Sequence, residues 1–328
     1  MEHIQQKRFI RPLFVCVLLF AIQTVQAEYF NPVTDRARHY IGFSLSGGES
    51  NNLKQNTVEM YAGAAAAFDF RYEVDYHHFL FGIGLGAQYQ CLNDGISEFK
   101  DVFERADNEG EMHKYAYNYK PYEQHSTMIN VELPISLGYN FATYGYCLVG
   151  AKITLPLQSS FSVQTDMYTS GAYPWGVESF NSSKTTDLTQ YGFFEQYHYS
   201  QKADYKEPLR FSVHAEIGGL LPFDNLGAHR LRIGAYVDLG FRTGSYEPVT
   251  LVDYTEVEKV PIITDQSMLA DRLRFNSLVV SDKYSRLPKT LEVGLRLTWL
   301  VDVTINNEKC LLCEQHKKSH HAQRKYFH

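Results

Sequence analysis

The segment Arg210 to Gly219, RFSVHAEIGG, sets Ser212, His214 and Glu216 at i, i+2 and i+4. A hydroxyl, an imidazole and a carboxylate are the parts of a nucleophile, a general base and an orienting acid. On an extended strand the three share one face. Neighbours there stand about 6.6 Å apart, beyond direct hydrogen-bond reach without help. The spacing therefore favours three members of a buried polar set over a hydrolytic triad. A lipid-modifying enzyme using Ser212 or His214 is the weaker reading. His198 and Ser200 form a second His-x-Ser pair, a spacing common by chance. Near the C-terminus, Cys310 and Cys313 precede His316, His320 and His321 among several lysines and arginines. Thiolate and imidazole ligate zinc. The spacing is too compact for a finger, and no second Cys pair follows. A short disulfide loop or an unstructured basic tail is expected, with no metal or cofactor assigned.

The elements that position these residues alternate with period two. Residues 129–139, INVELPISLGY, put Ile129, Val131, Leu133, Ile135, Leu137 and Tyr139 on one face and Asn130, Glu132, Pro134, Ser136 and Gly138 on the other. Strict alternation over eleven residues is the signature of a strand with two unlike faces. The same pattern recurs at 39–46, 62–75, 79–90, 146–158, 210–221, 229–242 and 291–302, which makes eight strands. Most exceed the usual ~5–6 residues of soluble sheets and match the ~9–11 needed to cross a bilayer at a tilt. No comparable segment shows a helical period.

Short and long connections alternate along the chain. Asp75–His78, Asn140–Tyr144 and Pro222–Ala228 are short, and the connections between them are long. A transmembrane barrel has that arrangement, with short turns in the periplasm and long loops outside. The expected fold is all-β: an eight-stranded, antiparallel, up-and-down transmembrane β-barrel with long extracellular loops. The rival is a soluble barrel with its apolar face inward. The polar face here is rich in Gly, Ala and Ser, which suits a crowded interior better than a solvated surface.

The inward face carries charge. Asp69, Glu73, Asp75, Glu132, Glu216, Asp238, Glu292 and Asp302 stand against Arg71, Lys152, Arg210, Arg232, Arg242 and Arg296. An eight-stranded barrel has room inside only for side chains. Unpaired charge there costs several kcal/mol per ion. A network of paired ions that plugs the lumen is therefore expected rather than a selective pore, which needs a ring of one sign.

The organisation follows. Residues 1–27 read as a secretory signal, with Lys7, Arg8 and Arg11 before an apolar run and a cleavage site after Ala27. Residues 28–38 are an N-terminal periplasmic segment, 39–302 the barrel and 303–328 a periplasmic tail. With 31 Lys and Arg against 37 Asp and Glu, a nucleic-acid partner is excluded. Apart from Cys16 in the signal, the cysteines are Cys91, Cys147, Cys310 and Cys313, too sparse for a disulfide scaffold. Cys91 and Cys147 fall at opposite ends of the barrel and should not pair. The 24 Tyr and 21 Phe are an excess. Phe30, Tyr89, Tyr139, Phe241 and Trp299 are candidates for belts at the membrane interfaces. Tyr115, Tyr117, Tyr119, Tyr122, Tyr168, Tyr173, Tyr191, Tyr197, Tyr199 and Tyr205 fall in two long loops, as a recognition surface or as strands extended into a rigid rim.

The stretch Glu132 to Tyr139, followed by Tyr146 to Leu157, resembles the central hairpin of the outer-membrane protein β-barrel domain family, related to the PorT and OmpX/OmpA-like barrels. Glu132, Pro134, Gly138 and Gly150 carry the resemblance, and the strand EVGLRLTWLV is similar to that family's closing strand. The resemblance implies an outer-membrane location, with membrane lipid and the barrel assembly machinery as partners. Its members include structural, adhesive and secretion-associated proteins, so it fixes no function. The expectation is a non-enzymatic barrel with a structural or surface-interaction role and extracellular or periplasmic protein partners. The alternatives are an accessory part of a secretion or assembly complex and a narrow channel.

Overall fold

The computed structural model describes residues 37–53, 59–106, 112–142, 144–172, 179–181, 196–223, 228–243, 249–259, 271–281 and 289–304. The signal with Ala27, residues 28–36 with Phe30, Tyr173, Tyr191 and the tail from 305 on with Cys310, Cys313 and His316 lie outside the described residues.

The described strands are β1 (Arg38–Asn52), β2 (Glu59–Tyr76), β3 (Phe79–Ile96), β4 (Phe99–Ala106), β5 (Met112–Ala142), β6 (Gly145–Ala172), β7 (Ser179–Asn181), β8 (Tyr197–Asp204), β9 (Arg210–Pro222), β10 (His229–Arg242), β11 (Val252–Asp253), β12 (Arg274–Phe275) and β13 (Lys289–Asp302). One short helix, α1 (Thr255–Glu258), lies between β11 and β12. No helix among the described residues is long and apolar enough to cross a membrane, which says nothing about strands.

Eight strands close a ring in the order β1, β2, β3, β5, β6, β9, β10, β13, each pair antiparallel, with β13 back on β1. The eight alternating segments of the sequence are these ring strands. The stagger can be read from the pairing. Ile41 faces Tyr72, Tyr72 faces Ile83, and the row continues through Ile135, Ala151, Val213, Leu239 and Leu291. It returns to β1 at Asn51, ten residues beyond its start. With ordinary strand spacing, that stagger tilts eight strands about 40° from the ring axis.

The expected strand number needs correction. Three further strands join the same sheet: β4 pairs β5, and β7 and β8 pair β6. The long connections are therefore largely strand, not loop. β3 and β4 together, β5, β6, and β8 continued by β9 rise past the other half of the ring as a tall wall. Length drives this. β5 has 31 residues and β6 has 28, against 14 each for β10 and β13.

Polarity inverts along the wall. In the ring, outward side chains are apolar and exposed on every strand: Phe43, Phe68, Leu85, Leu137, Leu155, Val213, Ile233 and Leu295 are examples. Inward ones are polar and buried. Above Tyr89, Ile129 and Leu157 the outward residues turn polar (Asn93, Glu123, His125, Ser162, Gln164), and apolar residues (Leu92, Ile96, Tyr122, Phe161, Val163, Met167) join polar ones such as Asp94, Gln124 and Thr165 on the inward side. On β6 a bulge makes the change, because Ile129 pairs Gln158 while Asn130 pairs Pro156. The extra residue shifts the phase by one and reverses every later side chain. A second bulge follows the Lys120-Pro121 step of β5, after which Tyr119 and Tyr117 face inward.

The inward face of the wall is covered by the β10–β13 connection. Leu251, Val252, Val257, Leu273, Phe275 and Leu278 pack on Ile96, Phe99, Tyr117, Tyr119, Tyr122, Phe161, Val163, Met167 and Tyr199. Phe275 touches three tyrosine rings, with centroids 5.0 Å from Tyr199, 5.5 Å from Tyr119 and 5.6 Å from Tyr122. The loop tyrosines named from sequence are thus split: Tyr117, Tyr119, Tyr122 and Tyr199 are buried core, Tyr168, Tyr197 and Tyr205 are half-buried, and the wall is an extension of the strands.

Candidate functional site

All twelve charged residues at the centre of the sequence reading, Asp69, Arg71, Glu73, Glu132, Lys152, Arg210, Glu216, Arg232, Asp238, Arg242, Glu292 and Arg296, are buried inside the ring. Each sits on the inward phase of a ring strand, where alternation sends every second side chain. Asp75 and Asp302, at the end with the short turns, are half-buried.

One connected group links five strands. Lys152 on β6 lies 2.9 Å from Glu132 on β5 and 2.6 Å from Asp238 on β10. Asp238 also receives Nδ1 of His214 on β9. His214 Nε2 is 3.4 Å from Glu216, and Arg296 on β13 donates to Glu216 at 2.8 Å. Tyr146 donates to the other Glu216 oxygen at 2.6 Å. Beside this group Arg232 pairs Glu73, and Arg71 lies 3.3 Å from Asp69. Glu292 accepts from Gln88 at 2.9 Å and from Tyr236 at 2.5 Å. Arg210 donates to Gln90 at 2.5 Å. The Arg232 and Arg296 guanidinium groups stand 5.0 and 4.8 Å from the Tyr146 and Tyr236 ring centres. Six acids and six bases therefore interleave rather than forming a ring of one sign.

The Ser212, His214, Glu216 series takes a different form from a triad. His214 and Glu216 do approach, which corrects the expectation that same-face neighbours stay apart. Long side chains can lean along the strand and close a 6.6 Å spacing. Ser212 has no hydrogen bond to His214 among the described residues, and both His214 ring nitrogens already face Asp238, Glu216 and Arg296. His198 pairs Asp166 at 2.8 Å on the exposed side of the wall, away from Ser212. Among the described residues no group of three or more His, Cys, Asp or Glu side chains could hold a metal. Cys91 and Cys147 are free thiols. They stand opposite Thr127 and Tyr139 of β5, about 40 Å apart along that strand.

Several members escaped the sequence reading. Arg230, buried and 3.1 Å from Asp75, lies on the same phase as Arg232, two residues earlier. Extending the alternation by one step would have found it. Tyr40 and Tyr146 share the inward phase of their strands in the same way and are fully enclosed. Glu207, which pairs Arg242, had no such signal, because it lies between β8 and β9 outside any strand.

At the upper end of the lumen Asn52 donates to Asp94 at 2.7 Å, and Arg242 reaches Asn52. Burial pushes the Asp94 carboxyl up to about 6, against the Asn52 hydrogen bond and the Arg242 charge that lower it. The cap above is tied by polar contacts. Gln124 accepts from the Leu278 amide at 2.8 Å and donates to Ser277. Gln201 exchanges hydrogen bonds with the Phe275 backbone, and Tyr199 donates to the Leu273 carbonyl at 2.6 Å. Tyr119 and Tyr254 join through their hydroxyls at 2.7 Å, and burial pushes both phenols well above their usual range.

No protein-family model matches the chain, and no curated protein matches it in sequence. Solved structures with a distant likeness include the following two. One is Ail, the attachment invasion locus protein of Yersinia pestis, in complex with the heparin analogue sucrose octasulfate. It is 7% identical over 79% of this chain and 98% of that one, with a TM-score of 0.22. The other is the deltaS2 mutant of the TodX monoaromatic hydrocarbon channel, 8% identical over 84% of this chain and 92% of that one, with a TM-score of 0.17. Superpositions this loose carry no weight for this chain, whose fold rests on its own pairings.

Proposed function

We propose that the chain is a non-enzymatic outer-membrane β-barrel, exported by a cleaved signal, whose lumen is sealed by its ion network and whose tall wall serves surface interaction or envelope integrity outside the cell. The observation that carries this reading is the inversion of polarity. A closed ring with apolar side chains outward and ion pairs inward suits lipid outside and side chains inside. The reversed order above Tyr89, Ile129 and Leu157 suits water. The heights agree. Phe79 to Tyr89 covers about 33 Å of strand, which a 40° tilt reduces to about 25 Å, the height of the apolar band of such barrels. Tyr139 and Trp299 at one end and Tyr89 at the other are exposed outward, where aromatic belts lie. The resemblance of the Glu132 to Leu157 hairpin to the OmpX/OmpA-like and PorT-related barrels points to the same location.

A sealed lumen is favoured over a channel because its charges alternate in sign and are paired or hydrogen-bonded, and because Tyr40, Tyr146 and Tyr236 are buried among them. Fractionation and gel mobility test the reading. The protein should be recovered from outer membranes and should migrate differently before and after boiling. Recovery as a soluble periplasmic protein overturns the barrel reading. In planar bilayers no conductance above baseline is expected, and a steady single-channel current overturns the sealed lumen.

A further inference from the structure

The outer face of the wall holds a polar groove whose outward side chains take no part in the ion network or the cap. A bulge between Tyr61 and Ala64 turns Tyr61 outward. The register then sets Tyr61, Asn93, His125 and Ser162 in one row across β2, β3, β5 and β6. The next row up pairs Glu123 with Gln164 and, on its other side, with Gly95. Gly95 leaves a gap there, and the Tyr61 ring leans over it. A Cβ at Gly95 would stand 2.8 Å from Tyr61 Cε2. The six side chains are among those lining a half-open groove of about 310 Å³. That volume lies at the lower end of the ~300–1,000 Å³ of small-molecule sites.

Asn93 and His125 hold each other in place. Asn93 donates to the Ala62 carbonyl at 2.7 Å, and its Oδ1 meets His125 Nδ1 at 2.5 Å. Glu123 and Gln164 have no polar partner among the described residues. The groove thus presents a tyrosine ring, a carboxylate acceptor and an amide that both donates and accepts. Sugar hydroxyls donate to carboxylates and pair with amides, and the C–H face of a pyranose stacks on an aromatic ring. Among the described residues no Lys or Arg lines the groove, and Glu123 would repel a phosphate.

The height of the groove selects the source of the sugar. Asn93 stands four residues beyond Tyr89, the last outward aromatic on β3. That is about 13 Å of strand, or about 10 Å of height at a 40° tilt. The polar headgroup layer is only about 5–8 Å thick on each side of a bilayer. The groove therefore opens just past the phosphates, where the saccharide of a membrane glycolipid begins. We propose that the groove binds a neutral sugar of an outer-leaflet glycolipid, stacked on Tyr61 and hydrogen-bonded by Glu123 and Gln164. This rests on the membrane-spanning reading given above.

Calorimetric titration of the full chain in detergent micelles tests it. The probe is the water-soluble oligosaccharide released from the cell's own outer-membrane glycolipid by mild acid and then dephosphorylated. Saturable binding is expected, weakened tenfold or more by Tyr61→Ala and by Glu123→Gln, and unchanged by Asp166→Asn on the same face outside the groove. The intact glycolipid should bind more tightly than the free saccharide, since its acyl chains meet the apolar band below. Equal affinity overturns the lipid-borne source. Binding unaffected by either groove variant, no binding by wild type, or binding only of the phosphorylated saccharide overturns the site. Heat-modifiable mobility is read on each sample. Wild type that keeps it yet binds nothing refutes the groove alone, and wild type that lacks it refutes the barrel reading and the groove with it.

Discussion

Lys152 on β6 and Asp238 on β10 meet over the intervening β9, with Nζ 2.6 Å from Oδ2, and Glu132 on β5 takes the same ammonium at 2.9 Å. All three side chains are about 5% exposed. One cation thus holds two carboxylates where water would otherwise have to enter.

Removing that cation leaves two buried carboxylates facing each other. Breaking a buried ion pair from one side costs about 3–5 kcal/mol, whereas neutralising the whole set costs far less. Lys152→Met should lower the stability of the folded barrel by that amount. The triple variant with Glu132→Gln and Asp238→Asn should recover most of it. Urea titration followed by gel mobility reads both. A loss under about 1 kcal/mol for Lys152→Met would mean that water already solvates the lumen.

Gly48 and Gly294 pair across the seam where β13 returns to β1. A Cβ on Gly48 would lie 2.6 Å from the Gly294 Cα, and one on Gly294 would lie 2.7 Å from the Gly48 Cα. Backbone cannot yield as a flexible side chain can. Gly48→Val and Gly294→Val should each prevent closure, read as loss of the heat-modifiable band after refolding into detergent. Normal refolding of both would place the seam elsewhere.

The Asp94 carboxyl should make stability depend on pH. The folded group keeps its proton to about 6, while its ordinary value is 3.8. Between those values the native state binds more protons than the unfolded one, so stability falls as pH rises and levels off above about 6. At about 1.4 kcal/mol per pH unit the full penalty is of order 3 kcal/mol. Asp94→Asn should stabilise the protein at pH 7.5 by up to that amount and flatten the slope between pH 4 and 6. Denaturant titrations at several pH values check this, and an unchanged slope refutes it.

The cap should loosen without the ring opening. Phe275 is 1% exposed among three tyrosine rings, and truncating such a side chain costs about 3–5 kcal/mol. Phe275→Ala should expose 249–259 and 271–281 to protease and speed amide exchange there. The heat-modifiable band should persist, because the ring closes through the β1–β13 pairing and the buried ion network, which lie outside this apolar cluster. Joint loss of both would show one cooperative unit.

The sequence by itself determined the eight ring strands and which residues face inward. Alternation splits each strand into two faces, and the charge with Gly, Ala and Ser on one of them marks that face as inward. The same rule reaches Arg230, Tyr40 and Tyr146 once each strand is carried to its full length. The rule breaks at Tyr61–Ala64, at Lys120-Pro121 and at Leu157, where bulges shift the phase. Past Leu157, Phe161, Val163 and Met167 still alternate with Ser160, Ser162 and Gln164, but with the apolar set now inward. Only the tertiary structure decided what lies on each side of that change: a cap brought from more than 80 residues further along the chain. It also decided which charges meet. Lys152 finds Asp238, and Arg296 finds Glu216, through a stagger of ten residues that is a property of the closed ring and of no single strand.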